Sequence, residues 1–386
     1  MSRHHTTRRG FLGTAGLLGA SLLAQQAAFG ADVPLAPPDK QPADLELPEV
    51  PPKTVGWAIV GLGELAVGEI LPAFERCALS KPTALVSGHR DKAEKLAKAY
   101  GIKPQNIYNY DNYDKLAENP DVDVIYIVLP NSMHAEYTIR GFKAKKHVLC
   151  EKPMATSVEE CEQMIAAAND AQKKLMIAYR LRYEPFNMAA IEMCQKQEFG
   201  KLQTITASNN QNVTAPNIRL SKQLGGGPLG DIGIYCLNAT RYLTGQEPIE
   251  VNAMRHQPQD DPRFREVPES VAFTLKFPSG GIATCDCSFG TAESRRYRVQ
   301  GADGVLHMDR AFGYRGQRLF LDKGGRDAEL KIEPVNHFAA EMDHFSECVR
   351  ADREPRTPGE EGLADVRVIA AIEEAAKSGR AVRVRG

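Results

Sequence analysis

The run Val55-Gly56-Trp57-Ala58-Ile59-Val60-Gly61-Leu62-Gly63-Glu64-Leu65-Ala66 restricts the fold more than any other part of the chain. A short apolar segment ends in G-x-G-x-x-A and passes at once into the helix-like segment ELAVGEILPAFERC. In such a turn the first glycine makes the bend and the second lets a pyrophosphate approach the backbone. The phosphates then lie at the positive end of the helix, facing free N–H groups. PTALVSGHR, VDVIYIVLP, KHVLCEKP and KKLMIAYR continue as apolar strands. DKAEKLAKAYG, SMHAEYTIRGFKAK and SVEECEQMIAAANDAQ supply helices between them. Strands separated by single helices predict right-handed crossovers and a parallel sheet covered on both faces.

After about Tyr179 the pattern changes. QTITASNNQ, IEVNAMRHQ, ESVAFTLKF, GIATCDCSF, RRYRVQGADGVLHMD, QRLFLDK and AELKIEPV are strand-like runs separated by turn signals such as PSGG. The expected fold is therefore α/β, with an N-terminal Rossmann dinucleotide-binding domain over 54–178. An α+β domain with a large, mainly antiparallel sheet is expected over 179–386, serving substrate binding and oligomerisation.

Residues 1–30 combine Arg8-Arg9, an apolar stretch from Phe11 to Ala24 and a small-residue exit at Ala28-Phe29-Gly30, the parts of a cleaved signal. Thr7-Arg8-Arg9-Gly10-Phe11-Leu12 is similar to the twin-arginine motif, the address for export of folded proteins. This predicts the periplasm as destination, the twin-arginine machinery as a partner, and no membrane anchor after cleavage. Residues 31–53 hold seven prolines and read as an extended arm. Removing the leader, with its three arginines and no acid, takes the formal charge from -1 to -4, which offers nothing to nucleic acid. Protein that folds before export acquires its core in a reducing compartment, so most of the eight cysteines are expected to be buried and unpaired. Cys285-Asp286-Cys287 has the wrong spacing for a zinc pair, and no metal site is expected.

The second strand should end in an acid if the ribose carries a free 2′-hydroxyl. Here it ends Ser87-Gly88-His89-Arg90, with Lys92 close behind. A hydroxyl and nearby cations hold a 2′-phosphate that a carboxylate would repel, which favours NADP over NAD. Two further motifs carry chemistry. In HVLCEKP, Lys152 follows Glu151 at a strand's carboxyl end, where open α/β sheets place their ligands. In GGGPLGDIGIY, a helix opening near Asp231 puts Tyr235 one turn on, on the same face. Oxidation of a carbinol needs a base for the hydroxyl proton, and tyrosine serves when a lysine cation stabilises its anion.

GLGELA, LPNSMHAEYTIRGFKAKKHVLCEKPMATS, KKLMIAYR, GGGPLGDIGIYCLNATRYLTGQEPIEV and PGEEGLADVRVIAAIEEAAKSGR together resemble the Gfo/Idh/MocA oxidoreductases. Within them the chain is most similar to the exported glucose-fructose and aldose oxidoreductases. The resemblance implies a tightly held, non-dissociating NADP(H). A cyclic aldose would be oxidised at C1 to its lactone, and a second sugar, a ketose or an aldose, would take the hydride and become a polyol. Tyr235 would be the acid/base, Lys152 would tune it and bind sugar, and Asp231 would orient the substrate.

Cofactor contacts are expected from Gly61, Leu62, Gly63, Glu64, Leu65, Ser87, Gly88, Arg90, Lys92, Tyr110, Leu129, Pro130, Asn131, His134, Glu151, Lys152 and Arg180. For His134, packing is as good an explanation. Sugar contacts are expected from Lys152, Arg182, Tyr183, Arg219, Asp231 and Tyr235, with a polar interdomain seam as the alternative role of Arg180, Arg182 and Tyr183. The arm would cover the adenine end of a cofactor, its own or a neighbour's, in a homo-oligomer, dimer or tetramer. Arg182, Phe289 and the 209–219 loop depart from the fructose-reducing pattern, which leaves the acceptor sugar open. Competing readings are an NAD-dependent glycosidase of the same superfamily, a sugar dehydrogenase using exchangeable NADP, and a non-catalytic sugar-binding protein.

Overall fold

A computed structural model of the chain describes residues 54–384, so the leader and the proline-rich arm lie outside the described residues. Strands β1 (Val55–Val60), β2 (Ser80–Val86), β3 (Ile107–Tyr108), β4 (Val124–Ile127), β5 (His147–Cys150) and β6 (Leu175–Ile177) form one sheet. Its order is β3-β2-β1-β4-β5-β6 and every pairing is parallel, as expected of a dinucleotide-binding sheet. The order reverses between β1 and β4, so the crevice for a ligand opens where these two strands end.

The helix after β1 is irregular. A π turn at Ala66–Ile70 runs into the short α1 (Leu71–Ala73) and a 3-10 turn at Phe74–Arg76. Pro72 has no N–H with which to continue an α ladder, and the Leu71 N–H reaches back to the Ala66 carbonyl instead. Helices α2 (Arg90–Ala99), α3 (His134–Lys143) and α4 (Val158–Ala171) complete the crossovers.

Two helices follow the first sheet: α5 (Pro185–Gln195) and α6 (Ile234–Thr244). The second sheet comprises β7 (Leu202–Asn212), β8 (Glu250–His256), β9 (Ser270–Lys276), β10 (Ile282–Ser288), β11 (Gly290–Gly301), β12 (Gly304–Asp309), β13 (Arg318–Lys323), β14 (Arg326–Glu329) and β15 (Val382–Arg383). Its order is β14-β13-β12-β11-β7-β10-β9-β8-β15, and only the β7–β10 pairing is parallel. The fold class read from the sequence is therefore the observed one. AELKIEPV was expected as one strand, but β14 ends at Glu329 and residues 331–336 form no regular element. Pro334, which cannot donate to a ladder, sits in this segment at the sheet's edge.

The last two helices, α7 (His337–Ala351) and α8 (Gly359–Ser378), return to the first sheet. Phe345 of α7 meets Trp57 edge-on with ring centroids 6.0 Å apart, and Trp57 Nε1 donates to Ser346 Oγ at 3.1 Å. Val366 of α8 joins the apolar cluster on the opposite face. The first sheet thus draws its cover from the far end of the chain. All eight cysteines are free and all but Cys77 are buried, with Cys285 and Cys287 both turned into the core from β10.

Helix α6 is locked to α8 through charge. Arg241 Nη1 donates to Asp365 Oδ1 at 2.7 Å and Asn238 Nδ2 donates to Asp365 Oδ2 at 2.9 Å, with Arg241 and Asp365 both buried. Asp365→Ala leaves both donors without that acceptor inside the protein. The expected loss is about 3 kcal/mol, read as a lower urea midpoint at unchanged slope.

Candidate active site

Lys152 leaves the end of β5 and points toward the start of α6. Its Nζ donates to the Asp231 main-chain carbonyl at 2.7 Å and lies 3.5 Å from Asp231 Oδ1. The same ammonium sits 4.8 Å from the centre of the Tyr235 ring. Asp231 occupies a π turn, Leu229–Gly233, directly before α6, so the predicted one-turn spacing to Tyr235 is realised with a wider first turn. Arg219 Nε donates to the other oxygen, Asp231 Oδ2, at 2.7 Å. Its approach depends on the triple glycine: a Cβ on Gly226 would stand 2.4 Å from the Arg219 carbonyl oxygen, and Gly227 N–H donates to that carbonyl.

The electrostatics follow from these contacts. Burial opposes charge on Lys152, but Tyr235, Asp231 and Glu151 hold its ammonium above the usual lysine range. Burial likewise works against the Asp231 carboxylate, and Lys152 with Arg219 outweighs it, holding the carboxyl below its ordinary value. Arg180 is buried and donates to the Gly313 and Phe312 carbonyls at 3.1 and 2.7 Å. Its guanidinium lies 5.1 Å from the Tyr235 ring centre and 4.7 Å from that of Tyr314. Tyr235 therefore has two cations against it, from the loops after β5 and β6 of the first sheet.

The turn after β1 is built for a dinucleotide. Gly61 has φ of 92°, and a Cβ there would stand 2.2 Å from the Val128 carbonyl oxygen, so the ends of β1 and β4 close only around glycine. At Gly63, among the described residues, nothing beyond its chain neighbours lies within 4 Å of where a Cβ would be, an open cradle against the N–H groups of the turn. Leu62 is buried, whereas Glu64 is exposed and Leu65 half-buried at its rim. Ser87 Oγ accepts from the His89 N–H at 3.0 Å and keeps its own hydrogen to donate. Lys92 Nζ reaches back to the Leu62 carbonyl at 3.1 Å, while Arg90 is engaged by Glu94 and the Ile107 carbonyl. The residues present fit a dinucleotide with a phosphorylated ribose.

Tyr110 flanks this end of the crevice, its ring 3.4 Å from where a Gly88 Cβ would lie. Leu129, Pro130 and Asn131 follow β4, and Asn131 Nδ2 donates to the Gly225 carbonyl at 2.8 Å, tying cofactor side to substrate side.

Four expected contacts fall elsewhere. His134 is fully buried with Nδ1 2.8 Å from the Pro153 carbonyl and Nε2 2.9 Å from the Leu129 carbonyl. Both ring nitrogens are occupied, so it braces the two loops and packing is its role. Tyr183 turns beneath the first sheet, its hydroxyl toward Met176 Sδ at 3.7 Å and its ring 5.1 Å from His344. Arg182 stacks on Tyr242 at 3.7 Å, beside the Lys152 group and outside it. Glu151 also points inward, accepting from the Tyr126 hydroxyl at 2.8 Å.

The sequence reading passed over Tyr314, Phe312 and Glu341. Tyr314 faces Arg180, and burial with the neighbouring Tyr235 pushes its phenol up to about 12. Its only sequence signal is an aromatic between glycines in AFGYRG. Glu341 of α7 is fully buried with neither carboxylate oxygen bonded among the described residues. Burial and then Glu151 hold it well above the usual carboxylate range, against the pull of Arg180.

Residues 55–179 match the oxidoreductase family with NAD-binding Rossmann fold, and residues 188–307 match the GFO/IDH/MocA C-terminal domain. The chain belongs to the Gfo/Idh/MocA oxidoreductase family. Among solved structures of this family, an aldose-aldose oxidoreductase from Caulobacter crescentus complexed with glycerol is 43% identical. The match has a TM-score of 0.84 and covers 86% of this chain and 100% of that one. D-xylose 1-dehydrogenase [NADP(+)] of Haloarcula marismortui is 30% identical over 342 residues, 86% of this chain and 93% of its own. A 3-ketoreductase from Actinomadura kijaniata in complex with NADP and TDP-benzene is 25% identical, with a TM-score of 0.76 over 84% of this chain and 98% of that one.

Because Asp231 is held ionised partly by Arg219, Arg219→Met should raise its proton affinity. A carboxylate whose pKa lies below the ordinary value keeps its charge as pH falls to that value. Weakening the pair moves the acid limb of kcat/KM to higher pH. A pH–rate profile of the variant checks this.

Proposed function

We propose that the protein is a periplasmic sugar oxidoreductase that retains NADP(H), oxidises a cyclic aldose at C1 to its lactone and reduces a second sugar to a polyol. The observation that carries the reading is the convergence of Lys152, Asp231 and Tyr235 at the carboxyl end of β5. Support for sugar chemistry and for NADP comes from the relatives' names, and for the 2′-phosphate from Ser87 and Lys92 at the end of β2.

When bound, NADP supplies the hydride acceptor and, reduced, the hydride donor. The protein supplies everything else. Lys152 donates to a hydroxyl of the bound sugar and draws negative charge toward it. The Tyr235 oxygen takes the proton of the anomeric hydroxyl as C1 loses its hydride, and the cations of Lys152 and Arg180 stabilise the charge that develops there. In the second half-reaction Tyr235 returns that proton to the oxygen of the sugar being reduced. Asp231 holds Lys152 in place and is itself held by Arg219. Ser87 and Lys92 hold the phosphorylated ribose, and the Gly61–Gly63 turn holds the pyrophosphate.

Mature protein dialysed at length should still show the reduced-nicotinamide band after an aldose is added without cofactor, and lose it when a second sugar follows. Tyr235→Phe should keep its nucleotide and lose at least about a hundredfold in rate, the usual scale of a missing acid/base. Protein that emerges free of nucleotide and turns over only with added NADP would overturn retention.

Export is tested separately. Changing Arg8 and Arg9 together to lysine should leave the precursor in the cytoplasm, whereas the unaltered chain should be found in the periplasm already carrying nucleotide. Periplasmic protein lacking nucleotide would count against loading before export.

A further inference from the structure

We infer that the loop between β12 and β13, residues 310–317, is a strap across the nicotinamide end of the crevice, latched by Arg315 and Glu69, that slows departure of the nucleotide. This rests on the reading above in one respect, that the protein binds and retains NADP(H).

A dinucleotide whose pyrophosphate sits at the Gly61–Gly63 turn must bring its reactive end to Lys152 and Tyr235. The strap spans the same interval. At one end the Arg315 guanidinium donates twice to the Glu69 carboxylate, Nη1 to Oε1 at 3.0 Å and Nη2 to Oε2 at 2.8 Å. Glu69 belongs to the π turn Ala66–Ile70, close behind the glycine turn. At the other end the Phe312 and Gly313 carbonyls accept from Arg180, the cation that lies against Tyr235. Between them the Tyr314 ring lies 4.7 Å from the Arg180 guanidinium and edge-on to Phe338 of α7, with centroids 5.5 Å apart.

The base of the strap is fixed and its tip is not. Ala311 and Phe312 are buried, the Ala311 N–H donates to the Arg295 carbonyl at 2.8 Å, and the Ala311 carbonyl accepts from Asn187 Nδ2. Gln317, also buried, donates to the Gly313 carbonyl at 2.8 Å. Tyr314, Arg315 and Gly316 are exposed. Arg310 at φ 51° and Gly316 at φ 79° bend the chain on either side of this stretch. Among the described residues, the only hydrogen bonds from the exposed tip to the first-sheet half are the two of the Arg315–Glu69 pair.

The pair has the properties of a latch. A planar fork that meets both carboxylate oxygens fixes the direction of the tip as well as its distance. The Glu69 side chain is only 17% exposed and the Arg315 side chain 74% exposed, so the carboxylate is seated and the arginine is the part that swings. An exposed pair opens readily, and the base contacts survive the opening because they do not involve the tip. Nucleotide enters with the tip turned out and leaves only after the pair has parted.

The test is exchange of the bound nucleotide for radiolabelled NADP+ in solution, counted on the protein after rapid gel filtration, which needs no sugar. Arg315→Gln and Glu69→Gln should each speed exchange by about fivefold, the upper end for an exposed ion pair. The double variant should be no faster than either single one, because both remove the same contact. Exchanging the charges, Arg315→Glu with Glu69→Arg, should restore most of the slow exchange. Added salt should speed exchange more in the unaltered protein than in the Gln variants. An unaltered rate in Arg315→Gln, or single effects that add in the double variant, would overturn the inference. Protein that emerges free of nucleotide would instead overturn retention, and once loaded with unlabelled NADP+ it still reads the ratio between variants.

Discussion

An ammonium held among buried side chains at the end of a strand stays charged only if acceptors are brought to it, and here they come from another layer of the fold. Lys152 belongs to the loop after β5, while the Asp231 oxygens belong to the turn before α6. Arg219 completes the row, fixed by the glycine turn that precedes Asp231. Helix α6 is in turn held by the buried Arg241–Asp365 pair with α8, a helix that also packs on the first sheet. The position of Tyr235 is thus the outcome of contacts among segments spread over two hundred residues.

The charges around Tyr235 do not cancel. Lys152, Arg180 and Arg219 are cationic and Asp231 is the one carboxylate that its neighbours hold below its ordinary value. Burial raises Glu151 and Glu341 instead, which favours their neutral forms. The surplus is positive. It favours negative charge on a phenolic or sugar oxygen during proton transfer, and the fixed orientation of these groups means little rearrangement is needed when that charge forms.

Much of this was legible in the sequence because it is local. The strand–glycine–helix signal, the lysine at a strand end and the four-residue spacing from Asp231 to Tyr235 each depend on neighbours within a turn or two. What escaped depends on distance. Arg180 is anchored by carbonyls at 312 and 313, over 130 residues away, and no periodicity announces that. Tyr183 was expected at the sugar or in a polar interdomain seam together with Arg180 and Arg182, but the 3-10 turn at Arg180–Tyr183 sends the three side chains in different directions. His134 reads as a polar residue near a cofactor, and only the two carbonyls that meet its ring reveal a brace.

The arrangement also bears on why a retained cofactor suits this site. Lactone formation leaves one proton on Tyr235, and polyol formation needs one proton at the same place, so the two half-reactions in the proposed cycle balance at a single side chain. Nothing beyond the hydride and that proton has to be stored between sugars. The site keeps both if the protein folds around its nucleotide. A fold with eight unpaired cysteines, seven of them buried, is suited to forming where thiols stay reduced. The proposed export of the folded chain therefore joins two requirements, one from the chemistry of the site and one from the chemistry of the core.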